Sequence, residues 1–419
     1  MKKLMILGAT SETGRLVRKA EDMGVETYVV DPYEDAHVKK FSSHPVKMDC
    51  FDVEGLCRLA REEKIDGVLP GCADILVSVY EEVCRKLGKP CYVNEKLVSA
   101  FNNKKGLKDA LKRHGLPVIE EYAPEEVRRA DFDGFPVFVK PVDNNSSKGM
   151  YIAGNLREFE EAYPKSLSFS RSGTVLIEAY KECDDFLVGY FARDGKVDAV
   201  FTGDRFTIRQ PGVGTITSAL VYPSRHAETY FRAAHGKMLE IFEELGFRNG
   251  ICMIQGFVEN GQVLFYDPAL RITGGQEYVL LEHFLGLDEL GALIEFAVSG
   301  AIPAHAGAID PAMNGGFACN LAFSVRGGVI GRIDGADYLK EHKNVINVTQ
   351  EHFAGDRIDR IGTAQQNIFR IHVVAASREE LRDCIRDLQA HVAVYDENGE
   401  DMTLPGLDAE NWYRMGAKA

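Results

Sequence analysis

The segment from Phe138 to Met150 sets one lysine, Lys140, at the end of an apolar run. A polar stretch follows at once, with Ser146, Ser147, Lys148 and Gly149 close together. A cation fixed at a strand end, beside a loop rich in backbone N–H and hydroxyl donors, is a way to hold phosphate groups. The segment is not a P-loop, because the glycine spacing and the Gly-Lys-Ser/Thr ending are absent. A solvated hairpin with an exposed lysine would use the same residues. The rest of the chain has to decide between the two.

Four other segments carry residues of matching chemistry. Lys104 opens a helical pattern that Gly115 and Pro117 end. An apolar run at Val175–Ile177 delivers Glu178, followed by Ala179, Lys181 and Asp185. The strand-rich stretch Gly250–Asp267 carries Gln255 and Asp267, and it continues through Ala269 to Arg271 and the turn Gly274-Gly275. Arg205 and Arg209 lie in a stretch, Gly203–Gly212, that reads as a polar loop after an apolar strand, where two guanidinium groups suit a substrate carboxylate or an acyl phosphate and a merely solvated loop would use the same residues. Gly8, Gly14 and Asp31 hint at dinucleotide binding, but the full glycine fingerprint is missing, and a tight strand–helix turn explains the glycines equally well. No serine or cysteine stands in a nucleophile motif.

The elements that must position these residues fall into three regions. Residues 1–100 alternate short apolar strands (Leu4–Leu7, Glu26–Val30, Gly67–Pro70) with helical patterns (Arg15–Met23, Val53–Lys64, Ile75–Leu87), as in a doubly wound parallel sheet. Residues 101–305 are richer in strands, interrupted by helices over Leu156–Ala162, His226–Leu245 and Glu282–Val298. Residues 306–419 read as a small α+β domain, with strands over Phe317–Val325, Val329–Ile333 and Phe369–Ala375 and a helix over Arg378–Gln389. The fold class is α/β plus α+β. The 419 residues suffice for two or three domains. A net charge of −14 argues against sequence-independent nucleic-acid binding. Nine cysteines without a C-x-x-C pair, no apolar stretch of membrane-spanning length and a start that leads straight into a strand fit a cytoplasmic protein.

Taken in order, the five segments resemble the ATP-grasp superfamily, in its carbamoyl-phosphate-synthase-like and carboxylate–amine ligase group. The resemblance covers residues 1 to about 300. It implies a Rossmann-like pre-ATP-grasp domain over 1–100, a two-lobed ATP-grasp domain over 101–305 and a C-terminal domain over 306–419. It further implies that Lys104 and Lys140 bind ATP, and that Ser146, Ser147 and Gly149 cover the phosphates while Lys148 adds charge there. Glu178 would meet the adenine amine. The backbone of Ala179 and Lys181 would read the base edge, and Asp185 would hold the ribose.

The chain departs from the family at the metal site. Asp267 and Arg271 fit an acid and an arginine of the family's second run, but Ala269 stands where an asparagine is expected and Gln255 where an acid is expected. Asp267 and Gln255 are therefore the expected Mg2+ ligands, with Asp204 or Glu277 as candidates to compensate, or with metal held mainly by ATP, or with weak catalysis as the consequence. Arg271 would stabilise charge on the transferred γ-phosphoryl group. The resemblance implies an ATP-dependent ligase joining a carboxylate to an amine or a thiol through an acyl phosphate, using ATP and Mg2+. Small molecules would be its partners, with no nucleic acid or membrane, and a homodimer is the commonest oligomeric expectation. Two other readings remain open: a non-catalytic ATP-binding protein with a degenerate metal site, and an NAD-dependent oxidoreductase built on Gly8, Gly14 and Asp31.

Overall fold

The computed structural model describes all residues except 103, 143–148, 171, 211–213 and 417–419, together with all side chains of the remainder but those of Lys104 and Gly416. The expected sites Ser146, Ser147 and Lys148, and the side chain of Lys104, lie outside the described residues.

The chain opens with four parallel strands, β1 (Lys2–Leu7), β2 (Val25–Asp31), β3 (His44–Lys47) and β4 (Gly67–Pro70), in the order β3-β2-β1-β4. Leu4–Leu7 are fully buried because helices cover the sheet, as a parallel sheet requires. Helix Gly14–Asp22 supplies Leu16, Val17 and Ala20 at helical spacing. Helix Val53–Glu62 is started by Asp52, whose side chain accepts from the Gly55 N–H. A further cover comes from far along the chain. Helix Glu289–Ser299 packs on β1 and β4, and it comes so close that a Cβ on Gly67 would lie 2.2 Å from the Ala297 carbonyl oxygen. The expected boundary at residue 100 thus encloses the sheet but not all of its core.

A small antiparallel sheet follows, β5 (Val137–Pro141), β6 (Tyr151–Ala153) and β7 (Val175–Ala179), in the order β6-β5-β7. Helix Leu156–Ser168 lies on it, and Phe159, Val137, Val139 and Ile177 form its separate core. The chain then enters a large antiparallel sheet through β8 (Asp184–Arg193), β9 (Lys196–Gln210), β10 (Gly214–Tyr222), β11 (Gly250–Glu259) and β12 (Gln262–Ala269). These two sheets are the two lobes.

The last third completes the large sheet rather than standing apart. Strand β13 (Phe317–Ser324) pairs with β10, so the sheet runs past the expected boundary at 305/306. Strand β14 (Gly328–Asp334) leaves it, β15 (Val345–Gln350) forms its edge, β16 (Arg357–Ile358) and β18 (Ala393–Asp396) flank β14, and β17 (Asn367–Ala375) pairs with β13 and β15. The eight strands run β12-β11-β8-β9-β10-β13-β17-β15. The single helix expected over Glu282–Val298 is two, Tyr278–Leu285 and Glu289–Ser299. Gly286 ends the first in the left-handed conformation at φ 64°, and Asp288 caps the second. The helix expected over His226–Leu245 is continuous from Ala227 to Leu245, with one wider π turn at Phe231–His235.

Candidate functional site

The short connection between β7 and β8 joins the two sheets, and the expected residues Lys140, Glu178, Asp185, Arg205, Gln255 and Asp267 lie on strands to either side of it. Lys140 is the last residue but one of β5 and pairs with Leu176, while Glu178 pairs with Phe138, so Lys140 and Glu178 are diagonal neighbours on adjacent strands. The Lys140 ammonium meets Glu178 Oε2 at 2.5 Å. The other oxygen, Oε1, accepts from Lys108 Nζ at 2.5 Å. All three groups are buried, at 6%, 2% and 4% exposure for Lys140, Glu178 and Lys108. Burial pushes the Glu178 carboxyl up, but the Lys140 and Lys108 ammonium groups outweigh it and hold it below the usual carboxylate range. Lys108 went unremarked in the sequence.

The hinge beyond Glu178 is already hydrogen-bonded in part. The Ala179 N–H donates to the Glu120 carbonyl and the Tyr180 N–H to the Pro136 carbonyl, each at 3.0 Å. Lys181 pairs with Glu259 at 2.8 Å. Arg209 donates to the Tyr180 hydroxyl at 3.0 Å, which places it against the hinge rather than on a substrate carboxylate.

One face of the large sheet forms the floor. Arg205 on β9 stands opposite Asp185 on β8, which stands opposite Phe257 on β11. Arg205 donates to Asp185 Oδ2 at 2.8 Å and to Thr217 Oγ1 at 2.9 Å, so it is not the free substrate clamp expected. The Tyr266 hydroxyl lies 2.9 Å from Asp185 Oδ1 and 3.1 Å from Gln255 Oε1. A β-bulge brings it there: Gln255 pairs with Asp267 but Gly256 with Phe265, which leaves Tyr266 as the extra residue. Asp185 is part-buried, and desolvation raises its carboxyl above the usual range, with Arg205 and Tyr266 opposing.

Asp267 is exposed at the end of this row, with Gln255 as its cross-strand partner. Ala269 is buried and has no ligating atom. Among the described residues no group of three His, Cys, Asp or Glu side chains converges on a metal position. The two candidates for compensation do not supply one. Asp204 stands opposite Phe186, on the face away from Asp185, and accepts from Ser224 Oγ at 2.5 Å and from the Arg225 N–H at 3.1 Å. Glu277 accepts from the Tyr222 hydroxyl at 2.6 Å and from Thr273 Oγ1. A hard cation that keeps most of its waters and rides on phosphates needs only one or two protein oxygens. Asp267 and Gln255 fit that arrangement; they do not fit a cage made by protein alone.

Arg271 lies just past β12 and reaches back to the first domain. Its Nη2 meets Asp74 Oδ2 at 2.6 Å, and its Nη1 donates to the Ile272 carbonyl at 2.8 Å. Arg271 Nε, Asp74 Oδ1 and the Tyr278 hydroxyl are buried without a partner among the described residues. Cys72 is nearby, and burial pushes its thiol far up, so it is a poor nucleophile. The turn after Arg271 is tied down by the last third of the chain. The Gly275 carbonyl accepts from Asn320 Nδ2 at 2.6 Å and from His372 Nε2 at 2.9 Å. Burial lowers the His372 pKa to about 3, so the ring stays neutral, and Asn347 Nδ2 donates to its Nδ1 at 3.0 Å. None of these three residues carries a motif that would have marked it.

Glu289, at the start of the helix that covers β1 and β4, is buried, and desolvation and Glu277 raise its pKa to about 8. Its folded value lies above its unfolded one, so the folded state binds the proton more tightly. Stability should therefore fall as pH rises from about 4.5 to about 8. Glu289→Gln should flatten that part of the stability–pH curve and raise stability at pH 8 by a few kcal/mol at most, read from urea midpoints across the range.

Gly8 serves the turn and its packing. Gly8 has φ 88°, and a Cβ there would meet Leu76 at 2.9 Å. Asp31 accepts from the Ala9 and Tyr33 N–H groups at 3.0 and 2.9 Å, which closes the turn and occupies the acid a ribose would need. Gly149 is required by its φ of 73° and by Phe169, 2.7 Å from where its Cβ would be.

A family model for the C-terminus of D-ala D-ala ligase matches residues 111–207. The formate-dependent phosphoribosylglycinamide formyltransferase of Saccharolobus solfataricus is 25% identical over 279 residues, 64% of this chain and 70% of that protein. The crystal structure of an L-amino acid ligase from Bacillus licheniformis superposes with a TM-score of 0.78 at 18% identity, covering 95% of this chain and 99% of that one. The biotin carboxylase domain dimer of the Hydrogenobacter thermophilus 2-oxoglutarate carboxylase, in complex with MgADP, ADP and bicarbonate, superposes with a TM-score of 0.76 at 17% identity, covering 96% and 91%.

Proposed function

We propose that this chain, an ATP-grasp protein, is an ATP-dependent ligase that activates a small carboxylate as its acyl phosphate and passes the acyl group to an amine. The observation that carries the reading is the buried Lys140–Glu178 pair at the mouth of the hinge between two lobes. Buried charges cost desolvation energy, and such groups concentrate at functional sites. The names of the similar proteins mention formate, L-amino acids and bicarbonate, each a small oxygen acid or a carrier of one.

A carboxylate oxygen attacks the γ-phosphorus, the bond from that phosphorus to the β,γ-bridging oxygen breaks, and ADP leaves. The amine nitrogen then attacks the acyl carbon, phosphate leaves and the nitrogen loses a proton. The protein's share is positioning and charge neutralisation, which explains a site without a nucleophile. Lys140 contributes positive charge to the nucleotide, with Lys104, Ser146, Ser147, Lys148 and Gly149 assigned to the same task from the sequence. Glu178 faces the base, and Asp185 with Tyr266 offers the ribose a polar edge. Arg271 faces the transferred group. Asp267 and Gln255 would hold a magnesium ion brought by ATP, which would neutralise phosphate charge.

No helix among the described residues is long and apolar enough to cross a membrane, and a cytoplasmic small-molecule enzyme, working as a homodimer, is the setting we assign. The absence of a protein-made metal cage among the described residues favours one second reading, an ATP-binding protein without turnover. ADP release, measured with Mg2+ and a panel of carboxylates and amino acids, separates the two. Release that depends on both a carboxylate and an amine is the expected result; ATP binding with no release for any pair supports the second reading.

A further inference from the structure

Lys108 belongs to helix Lys104–Arg113, yet it points inward. Its ammonium has three donors, and three acceptors meet them: Glu178 Oε1 at 2.5 Å, the Ile119 carbonyl at 3.2 Å, and Glu121 Oε1. Nothing of that ammonium remains for a ligand. Glu178, by contrast, is shared. One oxygen is held by Lys108, and the other meets Lys140.

We propose that Lys108 is a positioning residue: by fixing one oxygen of Glu178 beneath the hinge, it aims the other oxygen and the Lys140 ammonium at the nucleotide. The inference rests on reading this cleft as the ATP site. The geometry explains why a second lysine is buried here at all. With Lys140 as its sole cation, Glu178 could turn about its own side chain toward Lys140 and draw it away from the phosphates. With Lys108 on the far side, the carboxylate is held from two directions, and its position is set by the helix and the two strands together. The outer partner, Glu121, is part-exposed and pairs with Glu178 in an isolated bridge of the backbone, so the strap is closed on both sides.

A carboxylate held in this way accepts a hydrogen bond from a 6-amino purine and repels a 6-oxo purine. The test is therefore base discrimination, which a general loss of stability would not alter. Dissociation constants for ATP and for inosine triphosphate, both with Mg2+, are measured by titration calorimetry on the full chain, with melting temperatures alongside. The wild type should prefer ATP. Lys108→Met should weaken ATP binding tenfold or more while changing inosine triphosphate binding by less than threefold. Lys108→Arg, which keeps the charge, should restore most of the preference. Lys108→Gln keeps donors for Glu178 and Ile119 without the charge; it should narrow the preference in the same direction, and it serves if the methionine variant does not fold. Equal losses for both nucleotides, or an unchanged preference in Lys108→Met or Lys108→Gln, would overturn the inference while leaving the ATP site standing. A wild type that binds neither nucleotide would overturn the reading of the cleft itself.

Discussion

Glu178→Ala should lose about 3–5 kcal/mol of stability, the scale for removing one partner of a buried charge network, and should lose ATP binding with it. The argument is one of stranded charge. Lys140 and Lys108 are both buried, and Glu178 is the acid between them. Without it, Lys108 keeps Glu121, whereas Lys140 has no other ion-pair partner among the described residues. Urea denaturation followed by circular dichroism measures the loss. Removing the lysine side as well should recover part of the stability: the double variant Glu178→Leu with Lys140→Met should be more stable than Glu178→Ala while still failing to bind ATP. The same network predicts a pH dependence. The Glu178 pKa is lowered in the folded state, so its contribution is present above the ordinary glutamate range and is lost as pH falls through its folded value. A Glu178→Ala variant as stable as the wild type would mean that the pair is not worth its burial.

Arg271→Met should lower ADP release about 10²–10³-fold, the range for losing one group that stabilises developing charge, with ATP affinity changed by less than about threefold. Arg271 is held by Asp74 from the first domain, and its Nε is buried without a partner among the described residues. A guanidinium with one committed edge and one open donor is suited to meet an oxyanion. Arg271→Lys should not recover the rate, because a point charge cannot keep the Asp74 contact and present a second donor in one plane. Asp74 is half-exposed, so losing its partner should cost little stability. If ATP binding falls in step with turnover, Arg271 is a strut between domain and lobe rather than a group that acts on the transferred phosphoryl.

Strand ends were the legible part of this site. Lys140, Glu178 and Asp267 each close an apolar run, and the runs became β5, β7 and β12. Arg205 and Asp185 read as separate candidates with different tasks; only the register of β8 and β9 makes them one ion pair. Lys108 was missed although a signal was present. It lies on the apolar stripe of its helix, between buried Leu107 and Leu111, where a lysine needs an internal partner. That partner is 70 residues away, and no local pattern points to it. The joining of the last third to the large sheet was illegible for the same reason. Antiparallel pairing of β10 with β13 spans about a hundred residues, and each strand alone reads like any half-buried strand. His372, Asn320 and Asn347 therefore looked unremarkable, although they fix the Gly275 turn beside Arg271.

The central claim is that this cleft moves the γ-phosphoryl group of ATP to a carboxylate. Hydroxylamine trapping tests it most directly. An acyl phosphate formed in the site is intercepted as a hydroxamate, and the nucleotide product reports which phosphorus was attacked. With ATP, Mg2+, hydroxylamine and a panel of small carboxylates including formate and amino acids, the account predicts hydroxamate and ADP in equal amounts for at least one carboxylate, both lost in Lys140→Ala. Hydroxamate accompanied by AMP and pyrophosphate, or nucleotide binding with no hydroxamate from any carboxylate, would contradict it.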